Sequence, residues 1–105
     1  MNAAVLNLQN SVDYQTDAVV SKIIFKEKGG SLTLFAFDKG QELSEHSTPH
    51  HALLLVLDGE AQVSIAGEQS AVPAGALIVL PANVPHAVAA KQRFKMSLTM
   101  IKSGN

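Results

Sequence analysis

Three of the four histidines in this chain, His46, His50 and His51, sit within six residues, inside the run Gly40-Gln-Glu-Leu-Ser-Glu-His-Ser-Thr-Pro-His-His. The fourth, His86, closes the downstream run Pro81-Ala-Asn-Val-Pro-His. Neutral imidazole is the commonest protein metal ligand, and it also titrates near neutral pH. Histidines distributed this way predict imidazoles gathered in space around a metal ion or a polar ligand. Cysteine is absent, which excludes disulfides, thiolate metal sites and a cysteine nucleophile. Any metal must therefore be held by nitrogen and oxygen. The chain shows no Gly-rich phosphate loop, no nucleophile elbow and no paired carboxylates at useful spacing. No catalytic residue is assigned. Glu42 and Glu45 read as solvated loop carboxylates.

Histidines this far apart in sequence need a scaffold that brings two segments together. The hydrophobic pattern supplies one made of strands. Phe94, Met96, Leu98 and Met100 alternate with polar residues and share one face of a strand. Ala61–Ile65 alternates in the same way. Residues 19–26 and 31–37 read as two further strands, with a Gly-Gly turn at residues 29–30. Residues 51–57 and 76–80 are short, mostly apolar runs that fit buried strands. Asp58-Gly59 and Ala66-Gly67-Glu68 read as hairpin turns. Short strands parted by turns every eight to twelve residues predict an all-β sandwich or barrel. Residues 1–17 form an undecided arm or edge strand, in which Val5, Leu6 and Leu8 need something to pack against, and residues 18–103 form the barrel.

The bulk properties fit a single small domain. The chain has 105 residues, 47% of them hydrophobic, and a formal net charge of -1, which gives no reason to expect nucleic acid or an acidic membrane as partner. No secretory signal pattern and no membrane-length apolar stretch is present, so the expected location is cytoplasmic.

The chain from about Val19 to Lys102 resembles a small single-domain cupin. Cupins carry the motif G-x5-H-x-H-x(3,4)-E-x6-G, and Gly40, His46 and Gly59 fall on it. Their second motif is G-x5-P-x-G-x2-H-x3-N, and Gly75, Pro81 and His86 fall on that. Asn83 replaces the second motif's inner Gly, a mild exchange because Asn tolerates the left-handed conformation. Ala90 replaces its final Asn. The resemblance implies a double-stranded β-helix, the jelly-roll cupin barrel. It also implies metal ligands at two His and a Glu of the first motif and the His of the second. His46 and His86 match, whereas Thr48 and Ala52 stand at the other two positions.

Strand parity places His50 on the same side as His46, Thr48 and Ala52, with His51 opposite. Pro49 can introduce a bulge that exchanges the two. The expected metal site is therefore His46 and His86 with His50 or His51, holding a divalent ion such as Zn, Ni, Mn or Fe. The expected function is binding of a small-molecule ligand, with possible metal-assisted chemistry on a small organic acid or sugar. The alternative is a metal-free ligand-binding or sensor domain. The resemblance and the apolar arm both point to a homodimer.

Overall fold

The structure is a computed structural model, and it describes residues 4–102. After a single 3₁₀ turn at Leu8–Asn10 come nine strands: β1 Val19–Glu27, β2 Gly30–Phe37, β3 Glu42–His46, β4 His51–Asp58, β5 Glu60–Ile65, β6 Glu68–Pro73, β7 Leu77–Leu80, β8 His86–Ala89 and β9 Phe94–Ile101. They form two antiparallel sheets, a five-stranded one ordered β1-β2-β9-β4-β7 and a four-stranded one ordered β3-β8-β5-β6. This is the jelly-roll barrel that the motif spacing implied. No helix among the described residues is long and apolar enough to cross a membrane.

The period-2 rule decides what each strand buries. In β4, Ala52, Leu54 and Val56 point inward, and Phe94 and Met96 do the same in β9. Phe37 stacks on Phe94 with ring centroids 4.4 Å apart, filling one end of the barrel. The same rule sends Leu34 and Ala36 of β2 to the outer face of the five-stranded sheet. They are nevertheless fully buried, because the N-terminal arm folds back over them and adds Leu8, Val12 and Tyr14.

The arm is clasped in place by polar groups. The Tyr14 hydroxyl donates to Asp58 Oδ2 at 2.6 Å, and Lys95 Nζ donates to the Gln9 carbonyl at 2.7 Å. The Arg93 guanidinium and the Lys95 ammonium lie 5.1 and 5.0 Å from the Tyr14 ring centroid, within cation–π range. Arg93 Nε also donates to Asp38 Oδ1 at 2.7 Å, and the Asp17 amide donates to Asp38 Oδ2 at the same distance. Arg93 first and the Asp17 amide second hold the Asp38 carboxyl down at about 2, below its ordinary 3.8.

Beyond the arm, the outer face of the five-stranded sheet is bare. Cross-strand register lines up Phe25, Leu32, Thr99, Leu53 and Val79 in one row across all five strands. A second row holds Leu34, Ser97, Leu55 and Leu77. The first row carries no charged side chain; the second ends on β1 at Lys22, the register partner of the arm-covered Leu34. Phe25, Leu77, Val79 and Ile101 are 40–52% exposed.

Several expectations need correction. Residues 76–80 give an edge strand whose Leu77 and Val79 face outward, not a buried one. Asp58-Gly59 is a corner between the two sheets, since β4 and β5 do not pair. Ala66-Gly67 does turn a hairpin, with both residues at positive φ. Among the described residues the arm adds no edge strand. Strands β3, β6 and β8 were not anticipated. The first two are rich in Glu, Ser and Gln and lack a repeating apolar face, and β8 has only four residues.

Candidate functional site

The two motif histidines meet. β3 and β8 pair antiparallel, and the register puts His46 directly opposite His86. Their rings lie 4.6 Å apart at 67°, edge to face. His46 is exposed at the rim, whereas His86 is buried, with 6% of its surface accessible. Beneath them opens a cavity of about 290 Å³ whose other walls are Phe35, Leu43, Leu54, Leu80, Val88, Met96 and Leu98. These seven residues come from both sheets, so the cavity is the barrel interior itself.

The backbone fixes both rings. His46 Nδ1 lies 2.9 Å from the Ser44 carbonyl oxygen, and His86 Nδ1 lies 3.2 Å from the Val84 carbonyl oxygen. A carbonyl only accepts, so each Nδ1 carries the proton, and in the neutral ring each Nε2 is left as a bare acceptor. No described residue hydrogen-bonds either Nε2. Burial first, and the neighbouring His46 second, hold His86 below the ordinary imidazole value of 6.5. His86 is therefore uncharged at neutral pH.

The other two histidines do not join this pair. The chain leaves β3 at His46 and re-enters a strand only at His51, in the other sheet. Strand parity therefore does not run unbroken from His46 to Ala52. Between them Thr48 and Pro49 make a turn, in which the Thr48 hydroxyl bonds both the amide and the carbonyl of His50. The His50 ring lies outside the cavity lining, and its Nδ1 is buried with no hydrogen-bond partner among the described residues. His51 begins β4 at an odd position, opposite the inward-pointing Ala52, and is exposed. Its Nδ1 accepts from the Ala82 amide at 3.0 Å, which ties the start of β4 to the loop before β8. Ala52 is buried and occupies the barrel interior, as its place in the motif requires.

Metal sites built on protein donors use three or four of them. Here His46 and His86 supply two imidazoles. No group of three or more His, Cys, Asp or Glu able to hold a metal forms among the described residues. The donor set as arranged does not fit a resident ion.

Sequence reasoning missed the neighbours that shape the site. The Asn83 amide donates to the Thr48 carbonyl at 2.7 Å and joins the loops that carry the two motifs. Asn83 has φ 63, the left-handed conformation that the motif's Gly would adopt. The tolerance of Asn for that conformation was the available signal, and it held.

Comparison with known proteins agrees with this geometry. The cupin domain family model matches residues 33–102. A conserved protein of unknown function from Streptococcus pyogenes is 35% identical with a TM-score of 0.92, covering 100% of this chain and 92% of that one. A cupin 2 conserved barrel domain protein from Leptotrichia buccalis is 41% identical with a TM-score of 0.89. That match covers 92% of this chain but 47% of the other, so this chain spans about half its length. A cupin superfamily protein from Desulfitobacterium hafniense is 25% identical with a TM-score of 0.90, covering 98% and 94% of the two chains. No functionally curated protein matches. The paired motif histidines, the barrel between two antiparallel sheets and the match over two thirds of the sequence agree, and the chain belongs to the cupin family.

Proposed function

We propose that this cupin binds a small molecule inside the barrel without a resident metal, the apolar body against Leu54, Met96 and Leu98 and the polar end at His46 and His86. One observation carries the reading: the barrel cavity of about 290 Å³ has apolar walls and one polar end, formed by two imidazoles with free Nε2 atoms. Pockets of this kind, mostly apolar with few convergent polar groups, are the usual form of small-ligand sites. The test is methyl-resolved NMR during titration with a library of small aromatic and aliphatic compounds. Shifts are expected at the methyl groups of Leu54, Val88, Met96 and Leu98. A library that perturbs only surface methyls such as those of Leu77 and Val79 removes the reading.

A second reading is favoured by His50. Its buried, unpartnered Nδ1 suits a ring that swings inward, where it would join His46 and His86 as the third imidazole of a divalent metal site. Nδ1–H bonds to carbonyls are also the usual way a protein orients metal-ligating imidazoles. Elemental analysis after soaking with Zn, Ni, Mn or Fe separates the two. The metal-free reading expects less than about a tenth of an equivalent retained after dialysis. Near one equivalent, lost on His86→Ala, establishes the metal reading instead.

The unit of function in this reading is a homodimer joined through the bare outer face of the five-stranded sheet. Phe25, Leu77, Val79 and Ile101 expose roughly 350 Å² there, within the range that a monomer carries in one patch. The arm's Val5 and Leu6, 102% and 50% exposed, lead out from the segment that already covers the other end of this face. Adding them brings the apolar surface to roughly 600 Å², most of the ~800 Å² per partner of a standard interface. A second copy suits the surface because both rows are uncharged on β2, β9, β4 and β7 and meet their own kind there without repulsion.

A further inference from the structure

We propose that the barrel selects neutral hydrogen-bond donors, a hydroxyl or an amide N–H on a small apolar body, and rejects carboxylate anions of the same shape. The inference rests on the metal-free reading above and specifies its ligand class. It follows from which atoms are free. Both Nδ1–H groups are occupied by the Ser44 and Val84 carbonyls. What the two rings offer the cavity is therefore a pair of lone pairs on Nε2. A lone pair receives a hydrogen; it does not supply one.

A carboxylate needs donors or a cation, and with both rings in the neutral form the cavity has neither. No Lys, Arg, Ser, Thr, Asn or Gln lines it, and its remaining walls are Phe35, Leu43, Leu54, Leu80, Val88, Met96 and Leu98. An anion would be taken out of water with no partner, a costly transfer. Turning a ring over to present N–H would break its bond to the backbone carbonyl. A hydroxyl meets no such obstacle, because its hydrogen falls to one Nε2 and its carbon body to the walls. Two acceptors on neighbouring rings, with centroids 4.6 Å apart, also suit a ligand with two donors, such as a primary amide. The volume admits a ligand on the order of ten non-hydrogen atoms, since it lies at the small end of ligand pockets.

Three probes that share one toluene body test this: 4-methylphenol, toluene and 4-methylbenzoate. Each is titrated into the full chain with EDTA present at about pH 7.5, a unit above the ordinary imidazole value, and followed by calorimetry or methyl NMR. The phenol is expected to bind tightest. Toluene, lacking the donor, is expected to bind about tenfold more weakly, the worth of one hydrogen bond. The benzoate is expected to be weaker than the phenol by about tenfold or more.

Benzoate binding as tight as the phenol overturns the inference, and so does toluene matching the phenol. A benzoate preference that appears only when zinc replaces EDTA overturns it in favour of the metal reading. Failure of all three to bind removes the ligand-binding reading itself, a distinct result. In His86→Phe the advantage of the phenol over toluene is expected to shrink to about twofold or less while toluene still binds. His46→Phe, at the exposed rim, carries the same test if the buried change impairs folding. An undiminished phenol preference in both variants overturns the proposal.

Discussion

His86 concentrates the chemistry of this chain in one side chain, and its protonation state has a consequence for stability. Burial holds its folded value below 6.5, while the unfolded chain has the ordinary value. Between those two values the unfolded chain binds more protons, so stability rises with pH. The contribution is complete above pH 6.5 and is lost as pH falls through the folded value. Urea unfolding at about pH 7.5 and pH 5.5 is expected to show a loss of stability on acidification that is smaller in His86→Phe. An identical loss in the variant would assign the acid sensitivity to other groups. The motif positions of His46 and His86 were readable in the sequence because the spacing of Gly40, Gly59, Gly75 and Pro81 frames them. Their tautomers were not, because motif spacing says nothing of the ring rotamer that brings each Nδ1 to the carbonyl two residues back, Ser44 and Val84. The expectation for His50 and His51 assumed one strand through Pro49, and the chain changes sheets there.

The arm and the sheet corner show how single elements hold this barrel. The arm is irregular apart from one 3₁₀ turn, yet it seals Leu34 and Ala36 through Val12 and Tyr14. Burial first, and the Asp58 hydrogen bond second, push the Tyr14 phenol above its ordinary value, so it stays a donor throughout the working pH range. Tyr14→Phe is expected to lower stability by about 1 kcal/mol, the worth of that bond, with the fold intact by circular dichroism. No change in the urea midpoint would mean the clasp is packing alone. At the corner, Gly59 has φ 76, and a Cβ there would collide with the Arg93 carbonyl and lie 3.0 Å from Phe94 Cβ. Gly59→Ala is expected to cost about 2–3 kcal/mol, from strain at a left-handed position and displacement of β9. A thermal midpoint within a degree or so of the parent would show that the corner relaxes. Alternation made β9 legible, and the continuous run made β4 legible. It failed for β3, β6 and β8, where the pairing partner supplies what local pattern lacks. Tyr14 gave no signal because its partners, Asp58, Arg93 and Lys95, lie far along the chain.

Taken whole, the molecule has one filled face and one unfilled face on the same sheet. Leu77→Glu with Val79→Glu places charges at the β7 end of both rows, where the rows are most exposed. The pair is expected to convert a dimer into a monomer by sedimentation while leaving the far-UV circular dichroism unchanged. A parent chain that sediments as a monomer at tens of micromolar would remove the dimer. The jelly roll was legible from turn spacing and motif register together. The exposure of this face was not, because a strand with apolar residues on both sides reads as buried whether or not anything covers it. A last consequence lies in how the site is divided between the sheets. The histidine pair is set by the main-chain register of β3 on β8, whereas five of the cavity walls, Phe35, Leu54, Leu80, Met96 and Leu98, belong to the opposite sheet. In the proposed reading, the polar grip and the shape of the cavity thus rest on different sheets, so that substitutions at the walls can change what fits without moving the histidine pair.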